Sequence, residues 1–182
     1  RRQRQMCIRD RKIVFSFIEN STTPLVLDAD ALNCVAKQPE ILLRKKAPII
    51  ITPHPGEMSR LTGLATPLVN AERERVALDF AQKYGVVTVL KGAGTVIASP
   101  NGKVLVNPTG NSGMATGGSG DVLAGMTASI LAQGASAFSS AAAAVYLHGL
   151  AGDIAAEKYG KISMLPTDLI NCIPLAYKRC GF

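Results

Sequence analysis

A single carboxylate, Asp121, stands late in the segment Asn107-Pro-Thr-Gly-Asn-Ser-Gly-Met-Ala-Thr-Gly-Gly-Ser-Gly-Asp-Val-Leu-Ala-Gly125, where six glycines fall within residues 110–125. Glycine lets a backbone take positive φ and lets a ligand approach the main chain closely. The apolar run after Asp121 reads as a helix, and a helix N-terminus presents unpaired N–H groups at the positive end of its dipole. Together these features make an anion site. A carboxylate at that spot would repel a bound phosphate. Its simplest task is therefore to receive a proton from a substrate hydroxyl beside the phosphate, and the dipole favours the ionised form that a base requires. Phosphoryl transfer relies on positioning and charge stabilisation, so the pairing suits transfer of phosphate to an alcohol. The segment is not a Walker A loop, and Gly118-Ser-Gly120 lacks the third glycine of a dinucleotide fingerprint. The plain alternative is a flexible Gly/Ser connection. Against it, Asp-Val-Leu-Ala-Gly-Met runs straight into a long helix.

Other residues could take part. In Lys91-Gly-Ala-Gly-Thr95 the glycines would let the backbone wrap a phosphate or ribose, and Lys91 offers a point charge; an ordinary turn with a solvated lysine reads equally well. His54-Pro-Gly-Glu57 could set an imidazole at a pocket mouth or be structural, while Glu57 suits the dipole of the helix it opens. Asp28 and Asp30 could bind a metal-bound phosphate or a substrate, or could cap the next helix. His148, in an alanine-rich helix, reads as a core histidine.

The elements that must position these groups are legible from pattern. Apolar runs predict strands at 24–28, 47–53 and 86–90. Residues 95–98 and 104–106 flank Asn101-Gly102, a hairpin turn. Helical spacing and stop signals predict a mostly helical stretch over 30–46 with a break near Pro39, and a short helix from His54 to Leu61. They also predict helices over 70–84 with Gly85 as the stop, over 119–133 and 136–159, and from a Pro-started cap at 165–168 to about Lys178. Alternating strands and helices with apolar strands predict an α/β fold, a mainly parallel sheet covered by helices on both faces. Ligands of such sheets sit beyond the C-terminal strand ends, where Asp28, Asp30, His54, Lys91 and Asn107 fall.

At 182 residues and 47% hydrophobic the chain is read as one domain able to bury a core, and its 18% charged residues argue against a disordered protein. No apolar run is long enough to span a bilayer, and the basic start is not followed by the apolar core of a signal peptide. The net charge of +7 is concentrated at the start: residues 1–12 carry six Lys/Arg and one Asp, leaving +2 for the rest. With no Trp and no interleaving of basic and aromatic residues, nucleic acid is not an expected partner. Four cysteines without a Cys-x-x-Cys pair and two distant histidines make poor material for zinc. Reduced cysteines fit a cytoplasmic protein.

Four motifs in one order carry a resemblance. Leu25-Val-Leu-Asp-Ala-Asp-Ala-Leu-Asn33, Thr52-Pro-His-Pro-Gly-Glu-Met58, Val89-Leu-Lys-Gly-Ala-Gly-Thr95 and the segment 107–125 resemble those of the nucleotide-dependent NAD(P)H-hydrate dehydratases, members of the ribokinase-like superfamily. The resemblance runs from about Pro24 to Lys178 and implies a three-layer ribokinase-like sheet. It implies repair of NADH or NADPH that has taken up water: the nucleotide phosphorylates the ring hydroxyl, and phosphate leaves as the double bond re-forms. By the same resemblance Lys91, Gly92, Ala93, Gly94, Thr95 and Gly120 would hold the nucleotide, and His54 and Asp121 would contact the hydrated nicotinamide. The Met-Ala-Thr-Gly-Gly form resembles the bacterial branch that uses ADP, with AMP and phosphate as products. Mg2+ is expected from phosphoryl chemistry, without a dedicated protein site. An NAD(P)H-hydrate epimerase, fused or separate, is an expected partner. Residues 1–12 match nothing in the family and are expected to be a disordered or foreign leader. Residues 13–182 are then the dehydratase domain, short of about a hundred N-terminal residues. An unpaired sheet edge would favour a homo-oligomer. The rival readings are a ribokinase-like kinase of a small alcohol or vitamin precursor and a non-catalytic nucleotide-binding fragment.

Overall fold

Isoleucine, valine and leucine dominate the strands, as β-branched and apolar side chains do on a pleated surface buried on both sides. The computed structural model describes the backbone of residues 2–182 and the side chains from residue 9 onward. Its sheet has five strands: β1 (Leu25–Leu27), β2 (Ile49–Ile51), β3 (Val87–Leu90), β4 (Val96–Ala98) and β5 (Val104–Val106), ordered β1-β2-β3-β4-β5. β1 pairs with β2 and β2 with β3 in parallel, whereas β3 and β4 are antiparallel. The expected mainly parallel centre is therefore present. The turn read at Asn101-Gly102 closes the hairpin, with Ser99 N–H donating to the Lys103 carbonyl at 2.8 Å.

The chain divides into two compact units, residues 1–92 with 96–105 and residues 93–95 with 106–182. In the first, α1 (Arg2–Asn20), α2 (Asp30–Val35), α3 (Pro55–Thr62), α4 (Thr66–Ala71) and α5 (Arg73–Tyr84) accompany the strands. The break expected near Pro39 is a 3-10 helix, Pro39–Arg44, and Gly85 ends α5 as read. Period-two alternation sorts the strand residues. Leu27, Ile51, Leu90, Val96 and Ala98 join Ile18, Leu32, Met58, Ala77 and Phe80 in one core cluster. The alternate residues Ile50, Val89 and Ile97 point to the other face and are buried as well, which explains the uninterrupted apolar runs. The backbone of residues 2–12 forms the first turns of α1.

The second unit holds α6 (Ser119–Ala132), α7 (Ala137–Tyr159) and α8 (Pro166–Arg179). Ser136 caps α7, its hydroxyl accepting from Ser139 N–H. Ala141, Ala144, Ala151 and Ala155 on α7 are fully buried, small enough to admit neighbouring backbone closely. His148 is buried among them, as expected of a core histidine. No helix among the described residues is long and apolar enough to cross a membrane.

Candidate active site

The strand ends of the first unit gather the residues that the motifs single out. Asp28 directly follows β1, and its carboxylate meets Lys91 Nζ at 2.7 Å; the two side chains are only 12% and 20% exposed. That pairing engages Asp28, and Asp30 is itself the first residue of α2, so neither caps the helix, whose N-terminus has no side-chain cap. Asp30 instead accepts from Asn33 Nδ2 at 3.3 Å. Lys91 follows β3, and its N–H donates to the Pro53 carbonyl at 2.8 Å, so His54 begins beside it.

His54 caps α3. Its Nδ1 accepts from Gly56 N–H at 3.0 Å and from Glu57 N–H at 3.3 Å, while its own backbone N–H donates to the Glu57 carboxylate at 2.8 Å. This is a capping box with an imidazole in place of the usual hydroxyl or carboxylate. An Nδ1 that accepts leaves the ring proton on Nε2, and the ring is half exposed. The Nε2 side lies 3.4 Å from the second Glu57 carboxylate oxygen, so the cap and this contact together set the ring's orientation. Glu57 is buried in the same box. Asparagine is a good N-cap, so His54→Asn should keep the unfolding free energy within about 0.5 kcal/mol, whereas His54→Ala should lose about 1 kcal/mol. Urea unfolding midpoints of the two variants check this.

Arg73 was not singled out by the motifs. Its Nη2 donates to the Leu90 carbonyl at 2.9 Å, and a Cβ added at Gly92 would collide with its guanidinium. Gly92 has φ of 149°, a conformation left to glycine. Burial holds the Arg73 pKa below the ordinary guanidinium value. One signal in the sequence could have flagged it: a cation opening a helix opposes the dipole, so its charge serves something outside that helix.

The remaining expected residues lie in the second unit. Thr95 accepts through its carbonyl from Asn107 N–H at 2.9 Å, with Ala93 and Gly94 just before it. Gly118, with φ of 99°, is the N-cap of α6 and carries no side chain to close the helix end. The Ser119 N–H turns back to the Thr116 carbonyl. Gly120 and Asp121 occupy the next two positions, whose amides have no acceptor within the helix. The Ser119 hydroxyl is buried without a hydrogen-bond partner among the described residues. Asp121 is exposed in the first turn of α6 and makes no side-chain hydrogen bond or ion pair with the described residues. The helix end is therefore open to an anion, with an accessible carboxylate beside it.

Among the described residues no three His, Cys, Asp or Glu side chains cluster as a metal site. Cys34, Cys172 and Cys180 are thiols.

Comparison with known proteins adds four findings. The NAD(P)H-hydrate dehydratase family profile matches residues 7–175. The chain is 44% identical over 167 residues to the bifunctional NAD(P)H-hydrate repair enzyme Nnr of Moorella thermoacetica, covering 92% of this chain and 32% of that protein. It is 44% identical over 144 residues to the ADP-dependent (S)-NAD(P)H-hydrate dehydratase of Neisseria meningitidis, covering 78% of this chain and 49% of that one. A solved ADP/ATP-dependent NAD(P)H-hydrate dehydratase from Bacillus subtilis, co-crystallised with ATP and Mg2+, superposes with a TM-score of 0.81 at 36% identity, covering 89% of this chain and 58% of the other. The chain thus spans about a third of the first relative and half of the second. Its fold is the ribokinase-like α/β fold.

Proposed function

We infer that this chain, which belongs to the NAD(P)H-hydrate dehydratase family, repairs hydrated NADH and NADPH by ADP-dependent dehydration. The observation that carries this reading is Asp121: an accessible carboxylate in the first turn of a helix whose leading amides lack intrahelical acceptors. Asp121 takes the proton of the ring hydroxyl as that oxygen attacks the β-phosphorus of ADP, and AMP departs. The phosphorylated oxygen then leaves as inorganic phosphate while the adjacent ring carbon gives up a proton to water and the ring double bond re-forms. The open amides at Gly120 and Asp121 stabilise charge on the migrating phosphoryl group. Lys91, Gly92, Ala93, Gly94, Thr95 and Gly120 hold the nucleotide in this proposal, and the half-exposed His54 contacts the hydrated ring.

Mg2+ would arrive on the nucleotide's phosphates, which is how it is commonly held; the described residues offer no cluster to bind it alone. No step above is assigned to it. An NAD(P)H-hydrate epimerase, fused or separate, is the proposed partner, and the bifunctional designation of a relative supports this. Self-association is proposed because β1 has only β2 beside it among the described residues. A cytoplasmic location is proposed on the thiol state of the cysteines.

The test adds ADP and Mg2+ to the protein with hydrated NADH. The expected result is reduced-nicotinamide absorbance rising in step with AMP and phosphate, one of each per turnover. Accumulation of a phosphoester without recovered NADH would make the chain a kinase. Calorimetric binding of ADP with no turnover would make it a nucleotide-binding module.

A further inference from the structure

Helix α7 carries a stripe of groups that the proposed reaction does not use. Val145, His148, Gly149, Gly152 and Asp153 recur at spacings of three and four and share one face. That face grips the glycine-rich segment leading to α6. Asn107 Nδ2 donates to the Val145 carbonyl at 3.5 Å and Thr109 Oγ1 to the Tyr146 carbonyl at 2.9 Å. Gly110 N–H donates to Asp153 Oδ2 and Asn111 Nδ2 to Asp153 Oδ1, each at 2.9 Å. Asn111 Nδ2 also reaches the Gly152 carbonyl at 3.0 Å, and its Oδ1 accepts from Gly113 N–H at 3.0 Å. At the far end of the segment, His148 Nε2 lies 2.9 Å from the Ser119 carbonyl.

The two glycines make this contact possible. A Cβ at Gly149 would collide with Thr109, and one at Gly152 with Met114. Glycine is disfavoured inside a helix, so two of them on the gripping face mark a close approach of another backbone. Asp153 adds the only carboxylate of the grip, and both of its oxygens accept in charge-assisted bonds, which are stronger than neutral ones.

We propose that Asp153 is a positioning residue: next to the Gly149–Gly152 notch that Thr109 and Met114 fill, it fixes segment 107–118 and thereby sets where Gly120 and Asp121 stand at the start of α6. The proposal rests on the role given to Asp121 above. It predicts large effects from a small change, because displacing a reacting group by about 1 Å can cost 10²-fold in rate. Asp153→Asn preserves shape but turns one acceptor into a donor, facing either Gly110 N–H or Asn111 Nδ2.

The experiment compares wild type, Asp153→Asn and Asn111→Ala. It reads kcat and KM for hydrated NADH, ADP affinity by calorimetry, amide exchange at Gly110 and Gly113, and melting temperature. In Asp153→Asn the expected result is kcat lower by about 30- to 100-fold, exchange faster at both glycines, and ADP bound about tenfold more weakly through Gly120. A purely structural role would lower the melting temperature and leave kcat per folded molecule unchanged, and that result overturns the proposal. Should Asp153→Asn not fold, Asn111→Ala carries the same expectations from the other side of the contact. Should wild type bind ADP yet fail to dehydrate, the functional reading falls separately, and ADP affinity decides: weakened binding in Asp153→Asn sustains the positioning role and unchanged binding ends it.

Discussion

Asp121→Asn is expected to lower kcat for dehydration by about 10²- to 10⁴-fold, the range that a positioned base contributes. The substitution keeps the shape of the side chain and removes its basicity. Asp121 is exposed and bonded to nothing among the described residues, so no packing or pairing is lost. The cost to folding is the favourable helix-dipole contact of a carboxylate, roughly 0.3–1 kcal/mol. ADP affinity should be retained or improved, because a negative charge next to the phosphate site disappears. Steady-state rates with hydrated NADH, set beside calorimetry with ADP, separate the two effects. Turnover equal to wild type would remove Asp121 from the chemistry.

The second large effect is expected at Lys91. Its ammonium and the Asp28 carboxylate sit 2.7 Å apart and mostly buried. Removing one partner leaves the other charge buried and uncompensated, a loss on the order of 3 kcal/mol. Lys91→Met and Asp28→Asn should therefore lower the urea midpoint by similar amounts. They should differ in ligand binding. A hydrogen bond to a charged group contributes about 1.5–3 kcal/mol, so Lys91→Met should weaken ADP about tenfold or more. Asp28→Asn removes no phosphate contact and should leave ADP binding far less affected. Equal loss of affinity in both variants would mean that Lys91 supports the strand ends without touching the nucleotide.

Much of the scaffold was legible because its signals are local. The apolar triplets at Leu25–Leu27 and Ile49–Ile51, the Asn101-Gly102 turn and the stop at Gly85 depend on near neighbours in sequence. Helix α1 was not read over Ile13–Asn20: it is a short apolar stretch after a basic run, without a cap or a clear period. Helix α4, six residues with Pro67 in its first turn, gives equally little pattern. The break at Pro39 was visible, but whether the next turn is α or 3-10 was not.

The site divides along the same line. Asp121 and the Lys91 loop announce themselves through glycine and an adjacent helix start. The partner of Asp28 did not, since Lys91 lies 63 positions away and only the parallel register of β1, β2 and β3 brings them together. His54 reads as a turn histidine, and its cap is not legible because an imidazole caps a helix only in the tautomer with a bare Nδ1. Asp153 was silent for the reason Asp28 was: its partners, Gly110 and Asn111, are 43 and 42 positions away. The Gly149–Gly152 pair within an alanine-rich helix was the one local hint, since helical glycine usually has a packing reason.

The central claim is that the substrate's own hydroxyl oxygen receives the phosphoryl group. Hydrated NADH carrying 18O in that hydroxyl, turned over with unlabelled ADP, tests it by mass spectrometry of the released phosphate. The account predicts one labelled oxygen in each phosphate and none in water, because the C–O bond breaks after the P–O bond has formed. Unlabelled phosphate with the label in water would contradict it, showing that ADP is cleaved without passing its phosphate through the substrate.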